Sequence, residues 1–252
     1  MRSPILRIEF LHYAAGMRQR CHAHDTHSVT LVLRGRLREV AAGVDECAGP
    51  LSVVAKPAGV RHADHYGDEP VRTLRITLDP DTAVAAWRAS RRIQWRDGGP
   101  AARAALGAAQ ALRQSRRGPD AAWEAALAAC DAVHEPAPPP SPAPAWLARA
   151  ITLVRERVAD GDTVLRVRDV ASAAGVHPVH LARVFRAHHG CTVSAWLRRL
   201  RTHRAAARLA DAARLADVAT DAGFADQSHM NRAFRAETGL RPREFRALAA
   251  GW

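Results

Sequence analysis

Lysine is nearly missing from this chain: of its 37 Lys and Arg residues only Lys56 is a lysine. Its positive charge therefore reflects in part an arginine-rich composition. Cysteine is also scarce. Cys21, Cys47, Cys130 and Cys191 show neither CxxC spacing nor the pattern of a disulfide framework, and they read as reduced cytosolic thiols. No apolar run reaches 18 residues, and MRSPILRIEF at the start has no apolar signal-peptide region. Export and membrane insertion are not expected, and a cytoplasmic protein is. Spacing yields no Ser-His-Asp grouping, no phosphate-cradling glycine loop and no nucleotide fingerprint, so most common enzyme chemistries have no support.

What the chain does contain is an internal repeat. Ala171-Ser-Ala-Ala-Gly175-Val, followed by Leu181-x-Arg183-x-Phe185, recurs as Ala219-Thr-Asp-Ala-Gly223-Phe, followed by Met230-x-Arg232-x-Phe234. The offset is 48 residues between the glycines and 49 from Leu181 to Met230 onward, through Gly190 to Gly239 and Trp196 to Phe245. In each copy a short helix ends on glycine, which takes the left-handed conformation without steric cost. A second helix follows within a few residues. Leu181, Val184, Phe185 and His188 fall at i, i+3, i+4 and i+7, the spacing of one buried face. Pro178 suits a first helical position, and Asp226 and Gln227 suit an N-cap and first turn.

The opposite face of each second helix is left for a partner. It carries Val179, His180, Ala182, Arg183 and Arg186 in the first copy and Gln227, Ser228, Asn231, Arg232 and Arg235 in the second. Their polar members suit base edges and phosphates. One such helical hairpin is a common arrangement, and two in register are specific. A helix from Val193 to Ala210, roughly 27 Å long at 1.5 Å per residue, would hold the two second helices about one DNA turn apart.

On these residues the stretch from about Trp146 to Trp252 resembles the DNA-binding domain of the AraC/XylS family of bacterial transcription regulators. Gly223 to Arg246, GFADQSHMNRAFRAETGLRPREFR, is similar to that family's signature over nearly its whole length. The resemblance implies seven helices, with the second helix of each unit in the major groove of double-stranded DNA. It also implies base and phosphate contacts at Val179, His180, Ala182 and Arg183, and at Gln227, Ser228, Asn231 and Arg232. Val179 and Ala182 are apolar where the family often has polar readers, so the first unit is expected to read thymine methyls or little sequence.

Charge agrees with this reading. The net charge is +12, and residues 146–252 carry 18 Arg against 10 Asp and Glu. A basic domain supplies the salt-dependent phosphate attraction of nucleic-acid binding. The length suits two domains, each with its own core. The run Glu135-Pro-Ala-Pro-Pro-Pro-Ser-Pro-Ala-Pro144 reads as an extended linker, giving domains at 1–134 and 146–252 with a linker at 135–145.

Before the linker, Pro100 to Arg116 and Asp120 to His134 are alanine-rich and helical by propensity, with Leu106, Leu112, Trp123, Leu127 and Val133 as expected buried positions. They read either as an ordinary helical flank or as the surface of a homodimer, which the analogy favours. From Ile5 to Leu78 the pattern changes to ILRIEFLHY, SVTLVLRG, RLREVAA, LSVVAKP and VRTLRITL, short runs broken by Gly and Pro. These predict a small antiparallel β-barrel. The fold class is thus α+β, a barrel with flanking helices followed by an all-α tandem helix-turn-helix.

Within the barrel segment, Gly16-MRQRC-His22-Ala-His24 and Pro57-Ala-Gly59-Val-Arg-His62 resemble the two halves of the cupin motif. His22 and His24, two apart on a strand, would share a face, and His62 would reach the same interior from a facing strand. Ser28 stands roughly where metal-bearing cupins have Glu, and Tyr66 where an Asn is frequent. His27 and His65 are spare candidates, and Cys21 points away. The trio reads as an effector pocket or as a site for a divalent transition metal, zinc, iron or nickel. The function expected is a sequence-specific transcription regulator, not an enzyme, more an activator than a repressor, answering to a small molecule or metal, with RNA polymerase as a further partner. The alternative is a metal-cupin enzyme of dioxygenase or isomerase type with a DNA-binding appendage.

Overall fold

The structure is a computed structural model that describes residues 4–41, 43–81, 87, 92–114, 118–134, 143–159, 162, 165–211 and 213–251. Of the expected linker only 143–145 are among them. The chain divides into two compact units, one formed by Met1–Glu135 with Arg235–Trp252 and the other by Pro136–Phe234. The first boundary falls inside the proline-rich run. The second sets 235–252 apart from 146–234, which the sequence boundaries group together.

Among the described residues, nine strands build the first unit: β1 (Ile5–Tyr13), β2 (Arg18–His22), β3 (His27–Arg34), β4 (Leu37–Ala41), β5 (Val44–Ala48), β6 (Ser52–Lys56), β7 (His62–Tyr66), β8 (Val71–Leu78) and β9 (Gln94–Asp97). They form two antiparallel sheets, in the orders β1-β8-β3-β6-β9 and β2-β7-β4-β5. Alternation sets the register of the smaller sheet, since Leu37, Glu39 and Ala41 of β4 are buried while Arg38 and Val40 are exposed. Val32, Leu37, Ala41, Val54, Tyr66 and Val71 meet between the sheets, where Tyr13 of β1 stacks on Tyr66 of β7 with ring centroids 4.0 Å apart. Gly35 has φ +74°, and a Cβ there would lie 2.9 Å from the Pro70 carbonyl, so this turn requires glycine.

The five runs read as strands correspond to β1, β3, β4, β6 and β8. The strands expected at His22 and at His62 are β2 and β7, whereas the short β5 and β9 were missed because their polar or charged residues hide the apolar alternation. Two helices follow, α1 (Gly99–Arg113) and α2 (Gly118–Val133). They pack through alanines: Ala101, Ala102, Ala105, Ala108 and Ala109 on one and Ala122, Ala126 and Ala129 on the other are all buried. Leu106 and Val133 are buried as expected. Leu112 and Leu127 are each 37% exposed, because the small-residue seam and not the leucine positions forms the contact.

Seven helices follow among the described residues: α3 (Ala145–Ala159), α4 (Val167–Ala174), α5 (Pro178–His189), α6 (Val193–Leu209), α7 (Leu215–Asp221), α8 (Gln227–Thr238) and α9 (Pro242–Ala250). In the second unit Leu147, Val154, Leu165, Val170, Leu181, Phe185, Trp196 and Leu197 form one core. Phe185 packs on Trp196 with centroids 5.3 Å apart.

Candidate functional site

Each repeat folds as a helix, a tight turn and a second helix. Gly175 ends α4 at φ +66°, its N–H bonding to Ala171 and Ser172 carbonyls, and Gly223 at φ +82° follows α7 in the same way. Helix α5 opens with Pro178 in its first turn and with His177 Nδ1 accepting from Val179 N–H at 3.3 Å. Helix α8 opens with Asp226 Oδ1 accepting from His229 N–H at 2.7 Å. Leu181 and Phe185 are fully buried, as are Met230 and Phe234, which fixes the rotation of both helices.

That rotation exposes Val179, His180, Ala182, Arg183 and Arg186 on α5. Val179 is 70% exposed, an apolar side chain held out in solvent. On α8, Ser228, Arg232 and Arg235 are exposed. Gln227 and Asn231 are half-buried, and the Asn231 amide oxygen is buried without a hydrogen bond among the described residues, so these two are less open than a fully exposed face requires. Arg183 Nη2 lies 3.3 Å from His180 Nδ1. Arg201 of α6 donates to the Leu165 carbonyl at 2.8 Å, while Asp217 pairs with Arg214 at 2.9 Å. Arg204 bonds the Val158 carbonyl. These two arginines tie α6 to the segment before it.

The pairing of β2 with β7 in the smaller sheet brings His22, His24 and His62 together. Their ring centroids are 4.5 to 5.3 Å apart, and the nearest ring nitrogens, His22 Nε2 and His24 Nε2, are 3.2 Å apart. The route differs from the one expected. His24 lies beyond the end of β2, and a register shift between Gln19 and His22 turns both inward. His62 pairs directly with His22 in the same sheet and does not come from a facing strand. His27 is engaged elsewhere, as its Nδ1 accepts from Ala58 N–H and its ring lies beside Trp87. His65 shares its pairing with Arg38, on the face away from the trio. Cys21 is exposed.

His22 Nδ1 faces the Arg20 carbonyl at 2.7 Å and His62 Nδ1 the Val60 carbonyl at 3.0 Å, which fixes tautomers that leave Nε2 as an acceptor. His62 Nε2 is buried and has no hydrogen bond among the described residues. Against it lies a charged network that the sequence reading did not flag. Lys56 Nζ is 2.9 Å from Asp64 Oδ1 and 3.2 Å from Glu39 Oε1, all three being buried, and Asp64 Oδ2 is 3.8 Å from His62 Nε2. The signal was present: Glu39 alternates with Leu37 and Ala41, Asp64 stands two beyond His62, and both therefore face inward. Burial, opposed by Lys56, pushes the Glu39 carboxyl up to about 7. Burial, with the Lys56 ammonium second, pulls the His62 imidazole down to about 4. His24 is lowered by burial first and by the Arg75 charge second.

Residues 170–248 match the helix-turn-helix domain family. No curated protein matches the chain. Among solved structures it is similar to ToxT from Vibrio cholerae O395, at 9% identity, with 100% of each chain covered and a TM-score of 0.40. The C-terminal domain of AraT, a response regulator from Geobacillus stearothermophilus, is 23% identical over 42% of this chain and 87% of its own, with a TM-score of 0.39. A transcriptional regulator with an AraC-type DNA-binding domain from Chromobacterium violaceum is 26% identical over 42% of this chain and 92% of its own, with a TM-score of 0.38. With both repeats, both glycine turns and both buried phenylalanines in place, residues 170–248 form a tandem helix-turn-helix domain.

Proposed function

We propose that the chain is a ligand-responsive transcription regulator that reads DNA with α5 and α8 and senses its effector in the N-terminal barrel. The observation that carries this reading is the pair of helix-turn-helix units whose outer faces hold His180, Arg183 and Arg186 on one and Ser228, Arg232 and Arg235 on the other. Guanidinium groups there suit guanine edges and phosphates. Val179 and Ala182 suit thymine methyls. Selection of duplexes from a random pool by the full chain tests it. Two conserved half-sites about one helical turn apart are expected, and a pool that stays random contradicts it.

The histidine trio supports metal sensing. Three neutral imidazoles, two with Nδ1 fixed by backbone carbonyls and one with a buried, unbonded Nε2, suit a divalent transition metal of the zinc, iron or nickel kind. Such an ion would act as a Lewis acid and as an anchor for an effector. Stoichiometric metal found on the wild-type chain should be lost from the His22→Ala, His24→Ala double variant, and metal surviving that change would place the site elsewhere. The enzyme reading has less support, because Ser28 occupies the position where the cupin motif carries its carboxylate ligand. Dimerisation through α1 and α2, a cytoplasmic location, and activation through RNA polymerase complete the proposal. No helix among the described residues is long and apolar enough to cross a membrane.

A further inference from the structure

Beside the histidine trio a cavity of about 300 Å³ is lined by Leu6, Arg7 and Glu9 of β1, His24, Thr26, Ser28, Arg75 and Thr77. Its charges are unequal in their engagement. Glu9 pairs with Arg7 at 3.6 Å, and the acids beneath, Glu39 and Asp64, pair with Lys56. Arg75 Nη2 donates to the Tyr13 hydroxyl at 3.0 Å, and its Nε is buried with no hydrogen bond among the described residues, while Glu9 stands opposite it in the β1–β8 pair and the Arg75 charge also acts on Glu39. A half-buried guanidinium with an idle donor is costly to keep unless an acceptor completes it. Ser28 and Thr77, paired across β3 and β8, line the same wall, so the cavity offers hydroxyl donors beside a fixed positive charge. Leu6, 53% exposed, gives the rim one apolar surface.

We propose that this cavity is the seat of a small carboxylate-bearing effector, its carboxylate on Arg75 with Ser28 and Thr77 as neighbouring donors and its carbon chain toward Leu6. The position of Ser28 is central. Where a cupin would place an anionic metal ligand, this chain has a small hydroxyl and leaves room for a carboxylate brought from outside. Guanidinium and carboxylate make charge-assisted, two-point hydrogen bonds, which discriminate a carboxylate from a neutral group of the same shape. The size suits a short chain or a single ring, since ligand pockets run upward from roughly 300 Å³.

This inference names the effector class for the regulator reading and rests on it. It is tested on the full chain by calorimetric titration with butanoate, hexanoate and lactate, each against its own amide. One acid at least is expected to bind with Kd below ~1 mM, and its amide about tenfold or more weakly. Arg75→Gln should lose that binding while Arg75→Lys keeps part of it. Thermal unfolding of each variant reports whether it is folded. Acid and amide binding alike, a folded Arg75→Gln chain that binds as wild type does, or a wild type that binds none of the acids would overturn the proposal. Selection of DNA by the ligand-free chain separates the two readings. A chain that binds a carboxylate but enriches no duplex removes the regulator and leaves the pocket, and the converse leaves the regulator without this effector.

Discussion

His62 and Glu39 sit in one buried network and bind protons with opposite consequences. The His62 imidazole, held at about 4 chiefly by burial, stays neutral in the folded chain where an unfolded one, near 6.5, takes up a proton. Its contribution is present above pH 6.5 and is lost as pH falls through about 4, up to about 3 kcal/mol. Glu39, raised to about 7 from 4.5, contributes fully below pH 4.5 and loses that contribution as pH rises through about 7. Urea denaturation of chelator-treated protein at pH 4 to 7 should therefore show a shallower acid limb for His62→Gln than for wild type. Parallel limbs in the two proteins would show that His62 is not the proton acceptor. The backbone carbonyls behind His22 and His62 and the Lys56 ammonium beside Asp64 hold these groups in place.

Among the elements, α1 and α2 present the clearest opportunity for association. Their seam of alanines lets the helices approach closely and turns Leu112 and Leu127 outward. If that outer surface pairs two chains, the full protein should be dimeric by light scattering, and Leu127→Glu should make it monomeric with little change in melting temperature. A dimer that survives this change would move the interface elsewhere. The recognition helices were legible in the sequence because Leu181, Phe185, Met230 and Phe234 repeat at a fixed offset and glycines mark the turns. The His cluster was legible as a set of residues but not as geometry. No periodic signal announces a register shift, and the one between Gln19 and His22 is what aims His22 inward while His24 lies past the strand end. Glu39 and Asp64 were hidden by their chemistry, since buried carboxylates are rare and alternation is read from apolar residues. Strand β5 was hidden for the same reason.

At the scale of the whole molecule, a net charge of +12 with 18 arginines in residues 146–252 provides attraction to any duplex. Affinity will fall steeply with salt, and charge by itself gives no sequence preference. In the proposed reading, specificity comes from the outer faces of α5 and α8. Arg232 decides between the two contributions, because it is exposed, lies outside the core, and sits on the helix whose N-terminus Asp226 caps. The direct measurement is a gel-shift titration at fixed salt of wild type and Arg232→Ala on the duplex the full chain selects and on an unrelated duplex. The account predicts a loss of about 1 to 3 kcal/mol on the selected duplex and a much smaller loss on the unrelated one. Equal affinity of the two proteins for the selected duplex would contradict it.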